Sequence, residues 1–358
     1  MSLNLTEEQQ ELQSTLKRFF EDTITSEYLR RRLESNDELD ESLLASFQEL
    51  GLFSYFGESE GEGQFLTLSL IAKLGGRVLL TEPLPSWIFA SSYLAGNLLA
   101  SSSHIKDAFG ESEVAALLSG DILYVPLSVG AASSLSFQEA KGEVTVNGTA
   151  SYLSGCSRAK RLLLLSRDGV FITRGELGAA GITAALHSER LDRTMVRHAV
   201  SFESAPLLPL PLSSERLLPL PRILCAQELA GMSARVVEMT VEYVSTRKQF
   251  DVPVGGFQAV QQKLADMHAE SEALQALAHF AAWTADYSQD QLELASQTAI
   301  LKAVSVVPKI IETAIQLHGG IGFTWEHDLH LYLRRAQTLS ALWAPSEADY
   351  DSLLAAAE

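Results

Sequence analysis

Cysteine is almost missing from this 358-residue chain, which carries only Cys156 and Cys225. Two thiols without metal-ligand spacing indicate neither a disulfide framework nor a zinc site, and both are expected to be packed in the core. Cations are scarce as well: 27 Lys plus Arg stand against 45 Asp plus Glu, a formal net charge of −18. A nucleic-acid footprint is not expected from that balance. A site for an anion would have to concentrate its few cations locally, and Arg247 with Lys248 or Arg334 with Arg335 are the candidate pairs. No apolar run approaches the roughly 20 residues of a membrane span. Asn4, Thr6, Glu7 and Glu8 replace the basic and apolar regions of a secretory leader, so the expected location is cytoplasmic.

What is present suffices for a large core: 46% of residues are hydrophobic and two or three domains are expected. Residues 1–118 read as an N-terminal helical domain. Thr6-Glu7-Glu8-Gln9 has the form of a capping box ahead of Leu12, Leu16, Phe19 and Phe20. Apolar periodicity returns over 43–50, 66–74, 86–99 and 111–118, with Gly75-Gly76 expected to end the helix over 66–74. Thr81-Glu82-Pro83 interrupts the pattern.

Residues 119–212 read as a β domain, with β-rich runs at 122–129, 134–137, 143–153, 161–165 and 170–173. Asn147-Gly148 is its clearest turn signal. The strands are expected to end near Phe202, and Pro206, Pro209, Pro211, Pro219 and Pro221 read as the linker that follows. Residues 213–358 return to helix. Ile223, Ala226, Ala230, Ala234, Val237, Val241 and Val244 make one apolar stripe, and a further step of three reaches Arg247. Phe257, Val260, Leu264, Met267, Leu274 and Leu277 make a second stripe. A third runs from Leu292 to Leu317 with a kink expected at Pro308, giving three antiparallel helices of a bundle.

At the end of the third stripe stands Gly319-Gly320-Ile321-Gly322. Glycines there remove the Cβ atoms that keep another molecule from the backbone, although Gly319 could equally be a residue ending a helix. Gln316, His318, Phe323, Trp325, Arg334 and Arg335 surround the turn with donors, rings and positive charge. That composition suits a phosphate-bearing ligand with an aromatic ring. His318 and His327 are expected to be exposed or capping residues rather than a site of their own.

Three motifs in order, Arg247-Lys248-Gln249-Phe250, Phe257-Gln258-Ala259 and the segment from Gln316 to Phe323, resemble those of the acyl-CoA dehydrogenase family. The resemblance covers nearly the whole chain and is strongest over 222–335. It implies a mainly α fold with a central β domain of barrel or sandwich type and a C-terminal four-helix-bundle-like domain. It also implies FAD as cofactor, an acyl-CoA substrate and electron-transfer flavoprotein as electron acceptor. The implied assembly is a homodimer or tetramer, or a heterotetramer with a catalytic acyl-CoA dehydrogenase chain. By the same resemblance Arg247 takes the FAD pyrophosphate and Phe250 packs at the adenine end. Gln258, Gln316, Gly319 and Gly320 supply hydrogen bonds and room, for a flavin held mainly by a neighbouring protomer. Tyr152 and Ser154 stand where the family has an aromatic residue and a hydroxyl against the flavin ring.

The departures from the family are as informative. Its catalytic Glu occupies one of two positions, and the residues here are those around Trp343 and, ahead of Arg222, Pro221. Neither offers a carboxylate, so no catalytic residue is assigned. Residues 126–133 do not match the family's flavin-ring segment, and no match is found for the residues that complete its adenine pocket. The pattern resembles the base-lacking subunit of heteromeric acyl-CoA dehydrogenases. Other readings are a self-sufficient dehydrogenase with a displaced base at Glu228 or Glu326, a flavin monooxygenase or oxidase on the same fold, and a purely structural subunit.

Overall fold

The computed structural model describes residues 3–35, 37–57, 63–93, 103–128, 133–156, 159–186, 191–344, 350–351 and 353–354. In chain order, helices α1 (Glu7–Thr23), α2 (Ser26–Glu34), α3 (Glu41–Glu49), α4 (Leu52–Gly57), α5 (Gln64–Val78) and α6 (Leu84–Ile88) lead into a π-helical turn, Phe89–Tyr93. Helix α7 (Ser103–Ser119) is broken at Gly110, whose φ is 76°. Strands β1 (Leu123–Ser128), β2 (Ser133–Ala140), β3 (Glu143–Ser154), β4 (Ala159–Ser166), β5 (Gly169–Thr173), β6 (Ile182–Leu186) and β7 (Arg197–Leu210) follow. Helices α8 (Ser214–Leu217) and α9 (Pro219–Thr246), the short strands β8 (Lys248–Gln249) and β9 (Val252–Pro253), and helices α10 (Gln258–Tyr287), α11 (Leu292–His318) and α12 (Leu329–Leu342) complete the fold. Cys156 and Cys225 are both buried.

Two compact units result, one formed by 1–34, 65–80 and 222–358 and the other by 35–64 and 81–221. The second unit holds one mixed sheet of seven strands in the order β1-β4-β5-β7-β3-β2, with β6 also paired to β7. Among the described residues, only the β1–β4 pair is parallel. Two sequence expectations change here. Asn147-Gly148 is not a turn but the bulge inside β3, where the Asn147 carboxamide accepts the Ser204 N–H at 2.8 Å. The hairpin instead closes at Lys141 and Gly142, both at positive φ. The proline-rich stretch is not a linker: Pro206 and Pro209 lie within β7, paired with Thr145 and Phe171. Proline removes a donor but not an acceptor, and the Pro206 carbonyl still receives the Arg174 N–H at 3.0 Å. Pro219 and Pro221 begin α9, where a missing N–H costs least.

The first unit is a helical assembly, and its chain start behaves as read. Thr6 Oγ1 accepts the Gln9 N–H and the Gln9 carboxamide returns a bond from the Thr6 N–H, a closed capping box. Gly75-Gly76 does not end α5. A Cβ on Gly76 would lie 2.0 Å from the Glu228 carbonyl oxygen, and one on Gly231 would lie 1.8 Å from that of Lys73. The glycines are therefore a close crossing of α5 and α9, which only residues without side chains permit. At the start of α5, the Asp286 carboxylate accepts the Phe65 and Leu66 N–H groups at 3.1 and 2.8 Å. Within α11, Pro308 leaves the Val304 carbonyl without its helical donor, and the Ser340 hydroxyl on α12 donates to it at 3.4 Å.

Candidate functional site

One end of the first unit gathers most of the residues singled out in the sequence. Helix α9 stops at Thr246 and leaves Arg247 exposed just beyond it, its N–H bonded to the Tyr243 carbonyl at 2.8 Å. The apolar stripe behind it is buried at Ile223, Ala226, Ala230 and Val244, whereas Val241 is 44% exposed. Strands β8 and β9 then form a hairpin whose two central residues, Phe250 and Asp251, have φ of 51° and 66°. A two-residue turn of this hand favours Gly or Asn, so an aromatic residue there holds a strained backbone. Its effect is to lift Phe250 to 88% exposure, edge-on to Phe257 with ring centres 6.5 Å apart. The Val254 N–H closes the loop onto the Arg247 carbonyl, and Gln258 opens α10 immediately after Phe257.

Helix α11 brings the glycine turn to the same end. Tyr243 donates its hydroxyl to the His318 carbonyl at 3.1 Å and stacks on the His318 ring at 4.4 Å. Gln316 is exposed, and its Oε1 accepts the Lys263 ammonium at 2.6 Å. Gly319 has φ 62° and ψ −138°, a conformation glycine alone adopts readily. Around the positions where Gly319 and Gly320 would carry a Cβ there is no heavy atom within 4 Å. Gly322 differs: it is buried, and a Cβ there would meet the Ile315 carbonyl oxygen at 2.7 Å. The first two glycines thus leave open backbone and the third lets the turn fold against its own helix.

Of the two accounts expected of His318, exposed or capping, its 2% accessibility excludes the first, and it stands in the last turn of α11. Its Nδ1 lies 2.8 Å from the Ala314 carbonyl and its ring meets His327 edge-on at 4.6 Å. Burial pushes both imidazoles below the usual histidine range, and each therefore sits neutral near pH 7. The cation pair Arg334 and Arg335 is likewise committed elsewhere. Arg334 lies over the Trp325 ring at 5.0 Å, and Arg335, fully buried, bonds Glu228 Oε1 at 2.8 Å and the Leu80 carbonyl at 3.3 Å. Sequence spacing could not reveal this, because Glu228 and Leu80 are distant from Arg335 in the chain.

By contrast, the Arg247 and Lys248 side chains have no carboxylate partner among the described residues, in a chain with a large acidic excess. Lys263 was not singled out in the sequence, where a lysine in the first turns of an amphipathic helix looks like an ordinary solvated charge. At the two positions compared with the family base, Pro221 lies in the first turn of α9 and Trp343 follows the end of α12. Glu326 is exposed and its carbonyl accepts from Arg30 at 2.6 Å. Tyr152 and Ser154 lie on β3 in the other unit; the Ser154 backbone is paired with Arg197. Residues 129–132 and 345–349 lie outside the described residues. Among the described residues, no group of three or more His, Cys, Asp or Glu could hold a metal ion, and no helix is long and apolar enough to cross a membrane.

Parts of the sequence and the fold have known counterparts. Residues 212–349 match the family model of the acyl-CoA dehydrogenase C-terminal domain. Acyl-CoA dehydrogenase FadE34 of Mycobacterium tuberculosis is 40% identical over 134 residues, which are 37% of this chain and 19% of that protein. Acyl-CoA dehydrogenase IpdE2 of the same organism is 38% identical over 136 residues, 38% of this chain and 40% of that protein. The matched segments thus span less than half of either relative. The fold extends further: a chain of the ChsE4-ChsE5 complex from Mycobacterium tuberculosis superposes with a TM-score of 0.82 at 20% identity, covering 99% of this chain and 98% of that one. Residues 212–349 thus carry an acyl-CoA dehydrogenase C-terminal domain, and over the rest of the chain the likeness is one of fold.

Proposed function

We propose that this chain is a base-lacking subunit of an FAD-dependent acyl-CoA dehydrogenase, lending its diphosphate-binding end to a flavin that works in a catalytic partner chain. The observation that carries this reading is the convergence of an exposed, carboxylate-free Arg247, the lifted Phe250 ring and the open backbone at Gly319 and Gly320 on one end of the bundle. The donor set fits the ADP half of FAD. A guanidinium and bare peptide groups match a diphosphate, Gln258 and Gln316 can serve phosphate or ribose oxygens without adding charge, and Phe250 offers a face to adenine. FAD, when bound, supplies the acceptor for the β-hydride of the acyl-CoA thioester. Tyr152 and Ser154 on β3 are assigned to the ring end.

The chain's own part is to bind and orient, since proton abstraction from the α-carbon needs a carboxylate beside it. Pro221 and the Trp343 region do not provide one, and Glu228 is committed to Arg335. The base therefore belongs to the partner. Assembly with a second, differently built chain accords with the solved fold counterpart, which is itself a ChsE4-ChsE5 complex. Electron-transfer flavoprotein is the proposed acceptor, and the cytoplasm the proposed location.

The test is the visible spectrum and flavin-to-chain ratio of the protein purified alone and after co-expression with a family member that carries the Glu. Little flavin alone and full flavin on co-expression, with bleaching by an acyl-CoA thioester under anaerobic conditions, is the expected result. Full occupancy and bleaching by the chain alone overturns the lending role.

A further inference from the structure

We infer that Lys263 is a positioning residue of the diphosphate site: it fixes the Gln316 carboxamide and adds the second positive charge that Arg247 alone does not provide. This rests on the functional reading above and deepens it. Three other lysines take carboxylate partners: Lys17 with Glu21, Lys160 with Glu113, Lys302 with Glu270. Lys263 instead donates to a neutral carboxamide, Gln316 Oε1, at 2.6 Å, and has no carboxylate within ion-pair distance among the described residues. In a chain with net charge −18, a lysine held by a neutral acceptor retains its charge for something else.

The geometry says what. An ammonium on Oε1 settles which end of the amide faces it, and the two Nε2 donors are then turned away from Lys263, free to meet phosphate oxygens. Gln316 lies in the last turn of α11, three residues before the open backbone of Gly319. The C-terminal end of a helix repels an anion, because its unsatisfied carbonyls carry partial negative charge. A cation beside that end offsets the repulsion, and Lys263 is the one bonded there. Tyr243, one turn before Arg247, anchors the same helix end through the His318 carbonyl. Arg247 and Lys263 thus flank the turn from α9 and α10.

Calorimetric titration of the purified full chain with ADP, and separately with adenosine, tests this. Lys263→Met is expected to weaken ADP about tenfold and leave adenosine unchanged, while Lys263→Arg stays within about threefold of the unaltered chain. Because Lys263 acts through Gln316, adding Gln316→Ala to Lys263→Met should weaken ADP by less than Gln316→Ala does alone. Lys263→Gln replaces Lys263→Met should the latter not fold. Unchanged ADP binding in the Met variant, equal losses for ADP and adenosine, or no ADP binding by the unaltered chain at millimolar concentration overturns the inference. The lending role is judged apart, by flavin retention in the co-expressed complex: Arg247→Met losing flavin while Lys263→Met keeps it retains that role without Lys263.

Discussion

Arg335 and Glu228 form an ion pair across 2.8 Å in which the guanidinium side chain has 0% exposure and the carboxylate 22%. The pair ties α12 to α9 beside the point where α9 crosses α5. It also removes from service one of the two acids that a self-sufficient enzyme could have used as a displaced base.

Glu228→Ala should therefore behave as a stability variant. It takes the Glu228 carboxylate away from a buried guanidinium, at a cost of about 3 kcal/mol. Replacing both members by methionine should recover part of the loss, because the buried guanidinium is removed together with its carboxylate. Urea unfolding of Glu228→Met, Arg335→Met and the double variant checks this, and additive losses would contradict the pairing.

Asp286 carries the clearest pH dependence. Its carboxyl is pushed up to about 6 by burial, against the opposing effect of the Leu66 and Phe65 N–H groups that it caps. A carboxyl whose folded pKa exceeds its unfolded value binds its proton more tightly when folded. Its contribution to stability is then fully present below about pH 4 and is lost as pH rises through about 6. Asp286→Asn should remove that portion of the pH dependence, by at most about 3 kcal/mol before solvent screening is allowed for. The measurement is the difference in unfolding free energy between variant and unaltered chain from pH 4 to 7.5; a difference that does not change with pH would contradict it.

These two sites show what the sequence could and could not disclose. Periodicity located the long helices, and the order of Arg247, Gln258 and Gln316 was readable because each lies at the end or start of such a helix. Features that depend on distant partners were misread. Gly76 is a packing residue only because Glu228 crosses it, Asn147 a bulge residue only because Ser204 needs an acceptor, and Arg335 a core residue only because Glu228 and Leu80 surround it. Strand β6 escaped notice because Ile182–Leu186 is alanine-rich and mostly exposed, so neither propensity nor alternation marks it.

Gly319 and Gly320 separate folding from binding within two adjacent residues. Alanine at Gly319 meets no neighbour within 4 Å, but it must adopt φ 62° with ψ −138°, so Gly319→Ala should cost about 1–2 kcal/mol in urea unfolding. Gly320 has equally open surroundings and is not at positive φ, so Gly320→Ala should unfold within about 0.5 kcal/mol of the unaltered chain. Its added methyl points into the space assigned to the diphosphate, where a ligand must approach the bare backbone. Gly320→Ala should consequently reduce the flavin-to-chain ratio of the co-expressed complex severalfold while its stability is unchanged. If flavin retention instead follows stability, falling for Gly319→Ala and not for Gly320→Ala, the open backbone serves only to turn the chain between α11 and α12.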